Sequence, residues 1–111
     1  MQLRLVVEEG DGHALVTATG ELDTSTAGLL RSAVRDALGS GYDAVLVHLA
    51  GVSFVDSSGI TALLAGHRLA RRSGRYFGVV APSEQARRVM TMLGVKELPV
   101  HDTTVQAMRD R

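Results

Sequence analysis

Ala44-Val45-Leu46-Val47-His48-Leu49 is the stretch from which the fold can be read. It is a short, continuous apolar run with one polar break, at His48. A strand covered on one side alternates apolar and polar residues. A run without alternation reads as a strand buried on both faces, the pattern of parallel sheets. Downstream, a loop over 50–57 leads to a helix over about 58–73, with Gly74 placed to stop it. Residues 76–81 then form another buried-looking strand. Upstream, Asp23, Thr24 and Ser25 carry side-chain oxygens that can accept from the free N–H groups of a first helical turn. Leu29, Leu30, Val34, Ala37 and Leu38 recur at helical spacing behind them, and Gly39-Ser40-Gly41 stops that helix.

The two ends complete the pattern. Leu3, Leu5 and Val7 alternate with Arg4, Val6 and Glu8, which predicts a strand with one buried face. Gly10-Asp11-Gly12 is a turn, and a second strand over 13–19 closes a hairpin that Gly20 ends. Pro82 and Ser83 open a third helix, with Pro suited to its first turn. Val89, Met90 and Leu93 face inward on it and Gly94 ends it. A short strand over 98–100 follows. Thr103 with Gln106 then resembles a capping box for a last helix ending near Arg109. The order is β-β-α-β-α-β-α-β-α. Strands and helices that alternate after a hairpin predict an α/β fold, a mixed and mostly parallel sheet with interspersed helices and right-handed crossovers.

A chain of 111 residues fits one domain spanning 1–111. Two Phe and two Tyr are its only aromatic residues, so aliphatic side chains must fill the core. Zero net charge argues against a dedicated nucleic-acid binder. The balance hides a split: residues 1–60 hold three Arg against eight acids, and residues 61–111 hold nine basic residues against four acids. Such a dipolar surface is one a partner can read. The absence of cysteine excludes disulfides, thiolate catalysis and cysteine-based metal sites. It fits a cytoplasmic protein. The first ten residues mix charged and apolar side chains, so no secretory leader is expected, and no apolar run approaches the ~20 residues of a membrane span.

Phe54-Val55-Asp56-Ser57-Ser58-Gly59-Ile60 carries the chemistry. It puts a carboxylate and two hydroxyls where a helix begins. One reading is an N-cap, which stabilises a helix by roughly 0.5–2 kcal/mol. The other is a phosphate acceptor, because a helix N-terminus tolerates added negative charge. The two are compatible. Other patterns fail. Gly39-Ser40-Gly41-Tyr42-Asp43-Ala44 matches a loose dinucleotide fingerprint, but it follows a helix and precedes a strand, the reverse of what that fingerprint needs. A hydrolase elbow needs Gly two residues before its nucleophile, where Val55 and Asp56 stand relative to Ser57 and Ser58. His13, His48, His67 and His101 lack metal-ligand spacing and read as surface or packing residues. Arg68, Arg71, Arg72 and Arg75 fall on or near one helix face, read first as a solvated face and second as a docking patch for an acidic partner.

The Asp56-Ser57-Ser58-Gly59 segment, placed after a strand, resembles the signature of STAS-domain anti-sigma factor antagonists. Gly20-Glu21-Leu22-Asp23 is similar to a second marker of that family, one helix and one strand upstream. The tail from Ala81-Pro82-Ser83 to Met92-Leu93-Gly94-Val95 is similar as well. The resemblance implies a small STAS-type domain that binds rather than catalyses, with no cofactor and no metal. It implies Ser58 as the phosphorylated residue and Gly20, Glu21, Asp23, Asp56, Ser57, Ser58 and Gly59 as partner-binding positions. Asp23 is equally readable as a helix N-cap. The implied partners are an anti-sigma factor serine kinase, which holds a sigma factor until displaced, and a phosphoprotein phosphatase. No direct contact with nucleic acid or membrane is expected. Two rivals stand beside this reading. One is an accessory subunit of a lipid-transport ABC complex, a role related domains fill. The other is a small enzyme with Ser58 as nucleophile, for which no general base lies at a readable spacing.

Overall fold

The computed structural model describes residues 2–111. Strand β1 (Leu3–Gly10) turns through Asp11 and Gly12 into β2 (His13–Leu22), and Gly12 takes the positive φ of 74° that the two-residue turn requires. Helix α1 (Ala27–Gly39), β3 (Ala44–Val55), α2 (Ser57–Arg72), β4 (Tyr76–Val80), α3 (Glu84–Met92), β5 (Val100–His101) and α4 (Thr104–Asp110) follow in turn. The five strands lie side by side in chain order. β1 and β2 are antiparallel, and every later pair is parallel. The predicted order of elements and the mixed, mostly parallel sheet are both present.

The lack of apolar–polar alternation over 44–49 of β3 is explained by helices on both faces. Val45, Val47 and Val79 point to the face where Leu30 and Val34 of α1, Ile60 and Leu63 of α2, and Met90 of α3 pack. Leu46 and Val80 point to the other face, against Ala107 of α4. Side chains alternate across a strand, so successive residues of β3 meet different helices. The helix stops are also as read. Gly74 takes φ 70°, its N–H donates to the Arg71 carbonyl, and the Arg75 N–H donates to the Ala70 carbonyl at 2.8 Å. Gly94 repeats this pair of bonds at the end of α3. Both are the left-handed termination that glycine favours.

Several boundaries differ from the sequence reading, each for a physical reason. The expected loop over 50–57 is strand as far as Val55, because β2 runs past Gly20 and pairs with it through two register shifts. Gly20 bends β2 without ending it. Its φ is 115°, and a Cβ there would lie 2.3 Å from the Gln2 carbonyl oxygen. Helix α1 begins at Ala27, not at 23–25, because the Asp23 side chain ties up the Ser25 and Thr26 N–H groups in a turn of its own. Pro82 stands one residue before the N-cap of α3, which is Ser83. The last strand is Val100–His101, two residues later than its predicted start. Val7 and Leu93 are 53% and 51% exposed and do not face the core. Gln106 returns its side chain to the Asp102 N–H, one residue before the N-cap Thr103. Among the described residues, no helix is long and apolar enough to cross a membrane.

Candidate functional site

The two sequence motifs meet because β2 and β3 end side by side. Glu21 is paired with Phe54 and Leu22 with Val55. The chain then leaves β3 through Asp56, whose N–H donates to the Leu22 carbonyl at 3.2 Å. Asp56 is the N-cap of α2. One carboxylate oxygen accepts from the Ser58 N–H at 2.9 Å and from the Gly59 N–H at 3.1 Å. The capping reading is therefore met by Asp56, and it fixes the first turn of α2 against β2. Gly59 makes that approach possible: a Cβ there would lie 2.7 Å from the Leu22 Cγ and 2.8 Å from the Leu22 carbonyl oxygen.

Ser57 is exposed and Ser58 half-buried. The Ser58 hydroxyl lies 3.0 Å from the Thr24 hydroxyl, on the loop that follows β2. The Ser57 carbonyl accepts from the Thr61 hydroxyl at 2.9 Å, within the helix. No carboxylate, imidazole or amine among the described residues is hydrogen-bonded to the Ser58 oxygen. Asp56 is beside it in the chain, but its bonds run to backbone N–H groups.

Asp23 sits on the adjoining loop, yet its side chain is turned inward and is 6% exposed. One carboxylate oxygen accepts from the Ser25 hydroxyl at 2.7 Å, the Ser25 N–H at 2.9 Å and the Thr26 N–H at 3.2 Å. The Ser25 hydroxyl bond is the main cause holding its carboxyl below the usual carboxylate pKa, and burial opposes it. Asp23 is not the N-cap of α1, a place Thr26 takes with no side-chain cap bond. Asp23 instead shapes the loop that offers Thr24 to Ser58. Glu21 is half-buried at the end of β2, with its carboxylate 3.4 Å from the Gln2 N–H.

Two residues of the site escaped the sequence reading in this role. Thr24 was legible only as helix-start chemistry, since its contact with Ser58 crosses 34 positions. Gln85, from α3, clamps the end of β3: its side-chain oxygen accepts from the Val55 N–H at 2.7 Å and its nitrogen donates to the Val55 carbonyl at 3.1 Å. It satisfies a backbone position just before Asp56 as a further strand would. The Arg stripe is less uniform than its spacing suggested. Arg68 pairs with Glu97 at 2.9 Å, and Arg75 lies beyond α2, donating to the Leu38 carbonyl at the end of α1.

The fold and site define a small α/β module that presents a serine hydroxyl at a helix N-terminus beside a structured loop. The sequence profile of the STAS domain matches residues 4–108, and the chain belongs to that family. It is 27% identical to an anti-sigma F factor antagonist of Paenibacillus polymyxa, an alignment covering 99% of this chain and 96% of that one. The crystal structure of an anti-sigma factor antagonist from Mycobacterium paratuberculosis is 29% identical, covers 98% of this chain and 93% of its own, and superimposes with a TM-score of 0.87. The anti-sigma factor antagonist SpoIIAA in its unphosphorylated form shares the fold, with a TM-score of 0.80 at 21% identity over 96% of this chain and 95% of that one.

Proposed function

We propose that this chain is an anti-sigma factor antagonist switched by phosphorylation of Ser58. Unmodified, it binds an anti-sigma factor that is also a serine kinase and so frees the sigma factor. The kinase then transfers phosphate from ATP to Ser58 and the complex weakens. A phosphoprotein phosphatase in the same cytoplasm restores binding. The names of the relatives support the antagonist role.

The observation that carries the switch is the Ser58 hydroxyl, accessible at the second residue of α2 and, among the described residues, hydrogen-bonded through its side chain only to another hydroxyl, that of Thr24. In phosphoryl transfer the Ser58 oxygen attacks the γ-phosphorus, ADP leaves, and the hydroxyl proton passes to a base. No such base is bonded to this oxygen, so the kinase supplies it. The same lack argues against Ser58 as an enzyme's own nucleophile, which needs an adjacent base. A phosphoserine carries about −1.5 to −2 charges at pH 7. The start of α2 offsets part of this, by roughly 0.3–1 kcal/mol, and Asp23 keeps its carboxylate turned inward. The fold therefore tolerates the phosphate. The cost falls on the complex, where a dianion beside Asp56 must be desolvated or face like charge. Incubation with the candidate kinase and ATP, followed by mass-spectrometric mapping, tests the assignment. Phosphate is expected on Ser58 and lost in Ser58→Ala. Undiminished phosphorylation of Ser58→Ala, with the group on Ser57, contradicts it.

A further inference from the structure

Strand β1 forms one edge of the sheet and, among the described residues, is paired with a strand on one side only. It is eight residues long, and Val6 and Val7 at its middle are 48% and 53% exposed. A long apolar edge is a template for pairing with another strand. The two-residue turn makes Gly10 and His13 the closing hydrogen-bonded pair. Alternation then turns the N–H and C=O groups of Arg4, Val6 and Glu8 towards β2, and those of Leu3, Leu5, Val7 and Glu9 outward. The Gln2 carbonyl, in phase with Arg4, accepts from the Glu21 N–H at 2.9 Å as this phase requires.

We propose that a second copy of this chain occupies that edge, the two β1 strands running antiparallel about a two-fold axis through Val6. The register follows from symmetry and charge. Facing residues must lie on the same side of the sheet, so a two-fold axis has to pass through a residue and not between two. An axis at Val6 sets Val6 against Val6, Leu5 against Val7, and Arg4 of each copy against Glu8 of the other. An axis at Val7 would set Val6 and Leu5 against Glu8 and Glu9, and an axis at Leu5 would set Val6 against Arg4, so each places a charge on an apolar side chain. Among the described residues, Arg4 and Glu8 are exposed and enter no ion pair, whereas the Glu9 carboxylate already accepts from the Tyr42 hydroxyl at 2.5 Å. The Val6 register also makes Leu5 and Val7, whose backbone groups point outward, the hydrogen-bonded pair. Ser58 follows β3, and β2 lies between β3 and β1, so both Ser58 hydroxyls stay accessible in the pair. The edge is a small contact, so the association is weak and concentration-dependent.

Sedimentation equilibrium from about 10 µM to about 1 mM tests the proposal. The mass should rise with concentration from 11.8 kDa towards twice that value. Arg4→Glu alone and Glu8→Arg alone each put two like-charge pairs across the axis, and each should weaken association about tenfold or more. The double variant R4E/E8R restores opposite charges and should recover most of the wild-type affinity. All three changes are at exposed positions, and circular dichroism checks that each variant is folded. A monomer across the whole range overturns the proposal. So does a dimer indifferent to the single reversals, or one that the double reversal fails to restore. None of these outcomes depends on a kinase or on Ser58, so the result stands apart from the reading of the switch.

Discussion

Gly59→Ala tests whether the first turn of α2 is seated as tightly as the site requires. Alanine is the better helix former, by roughly 1 kcal/mol in a helix interior, and on propensity alone the change should stabilise. The geometry opposes it. The new methyl would lie 2.7 Å from the Leu22 Cγ and 2.8 Å from the Leu22 carbonyl oxygen, against the ~3.5–4.0 Å of an ordinary carbon contact. Leu22 is fully buried and cannot swing aside. Its carbonyl is backbone and also accepts from the Asp56 N–H. The helix must therefore retreat by the better part of an ångström. Overpacking costs about 1–3 kcal/mol, and a clash with a backbone carbonyl as well as a buried side chain belongs in the upper part of that range, about 2–3 kcal/mol. Set against the propensity gain, a net loss of about 1–2 kcal/mol remains, or a fall in Tm of roughly 5–10 °C for a domain near this size. Gly28→Ala is the control. A Cβ there meets nothing within 4 Å, on exposed α1 surface, and it should raise Tm by a few degrees. Differential scanning calorimetry reads both. A Gly59→Ala protein as stable as wild type would refute the packing argument.

Asp56→Ala should cost about 1 kcal/mol by urea unfolding, because the Ser58 and Gly59 N–H groups lose their acceptor. Asp56→Asn, which keeps an oxygen there, should cost less than half of that, and equal losses would contradict the cap. Gln85→Leu should cost about 1–3 kcal/mol by leaving the Val55 N–H and carbonyl without their partner, and an unchanged urea midpoint would contradict the clamp. His67 is buried beside Phe77, and burial, its largest influence, pushes its pKa below the ordinary 6.5. Below pH 6.5 the unfolded chain binds a proton that the folded one refuses, so stability should fall as pH drops from 6.5 towards the lowered folded pKa. His67→Leu should flatten that slope in pH-dependent denaturation, and an unaltered slope would contradict the assignment.

What was legible in the sequence was local. The run over 44–49 gave a two-sided strand because each of its faces meets helices. The glycines at 74 and 94 gave helix stops because only a left-handed residue closes those bonds. Asp56 with Ser57, Ser58 and Gly59 gave a helix start for the same kind of reason. What was not legible depended on contacts far apart in the chain. β3 continues to Val55 through Gly51 and Ser53, residues that favour a loop, because β2 pairs beside them with shifted register. Asp23 anchors a loop turn and does not cap α1, since its donors, the N–H and hydroxyl groups of Ser25 and Thr26, lie in a turn that propensity does not distinguish from a helix start. Leu93 looked inward by period, but α3 ends at Met92 and the period no longer applies. Thr24 and Gln85 enter the site across 34 and 30 positions, where a single sequence carries no signal.

The most direct test of the switch compares unmodified and Ser58-phosphorylated protein binding to the kinase by titration calorimetry, with NMR shifts recorded on both free forms. Affinity should fall at least about a hundredfold, which takes only about 2.7 kcal/mol. Shift changes should be confined to the start of α2 and the Thr24 loop. Undiminished affinity, or shifts spread through the whole sheet, would contradict a switch that acts by charge and exclusion at the interface.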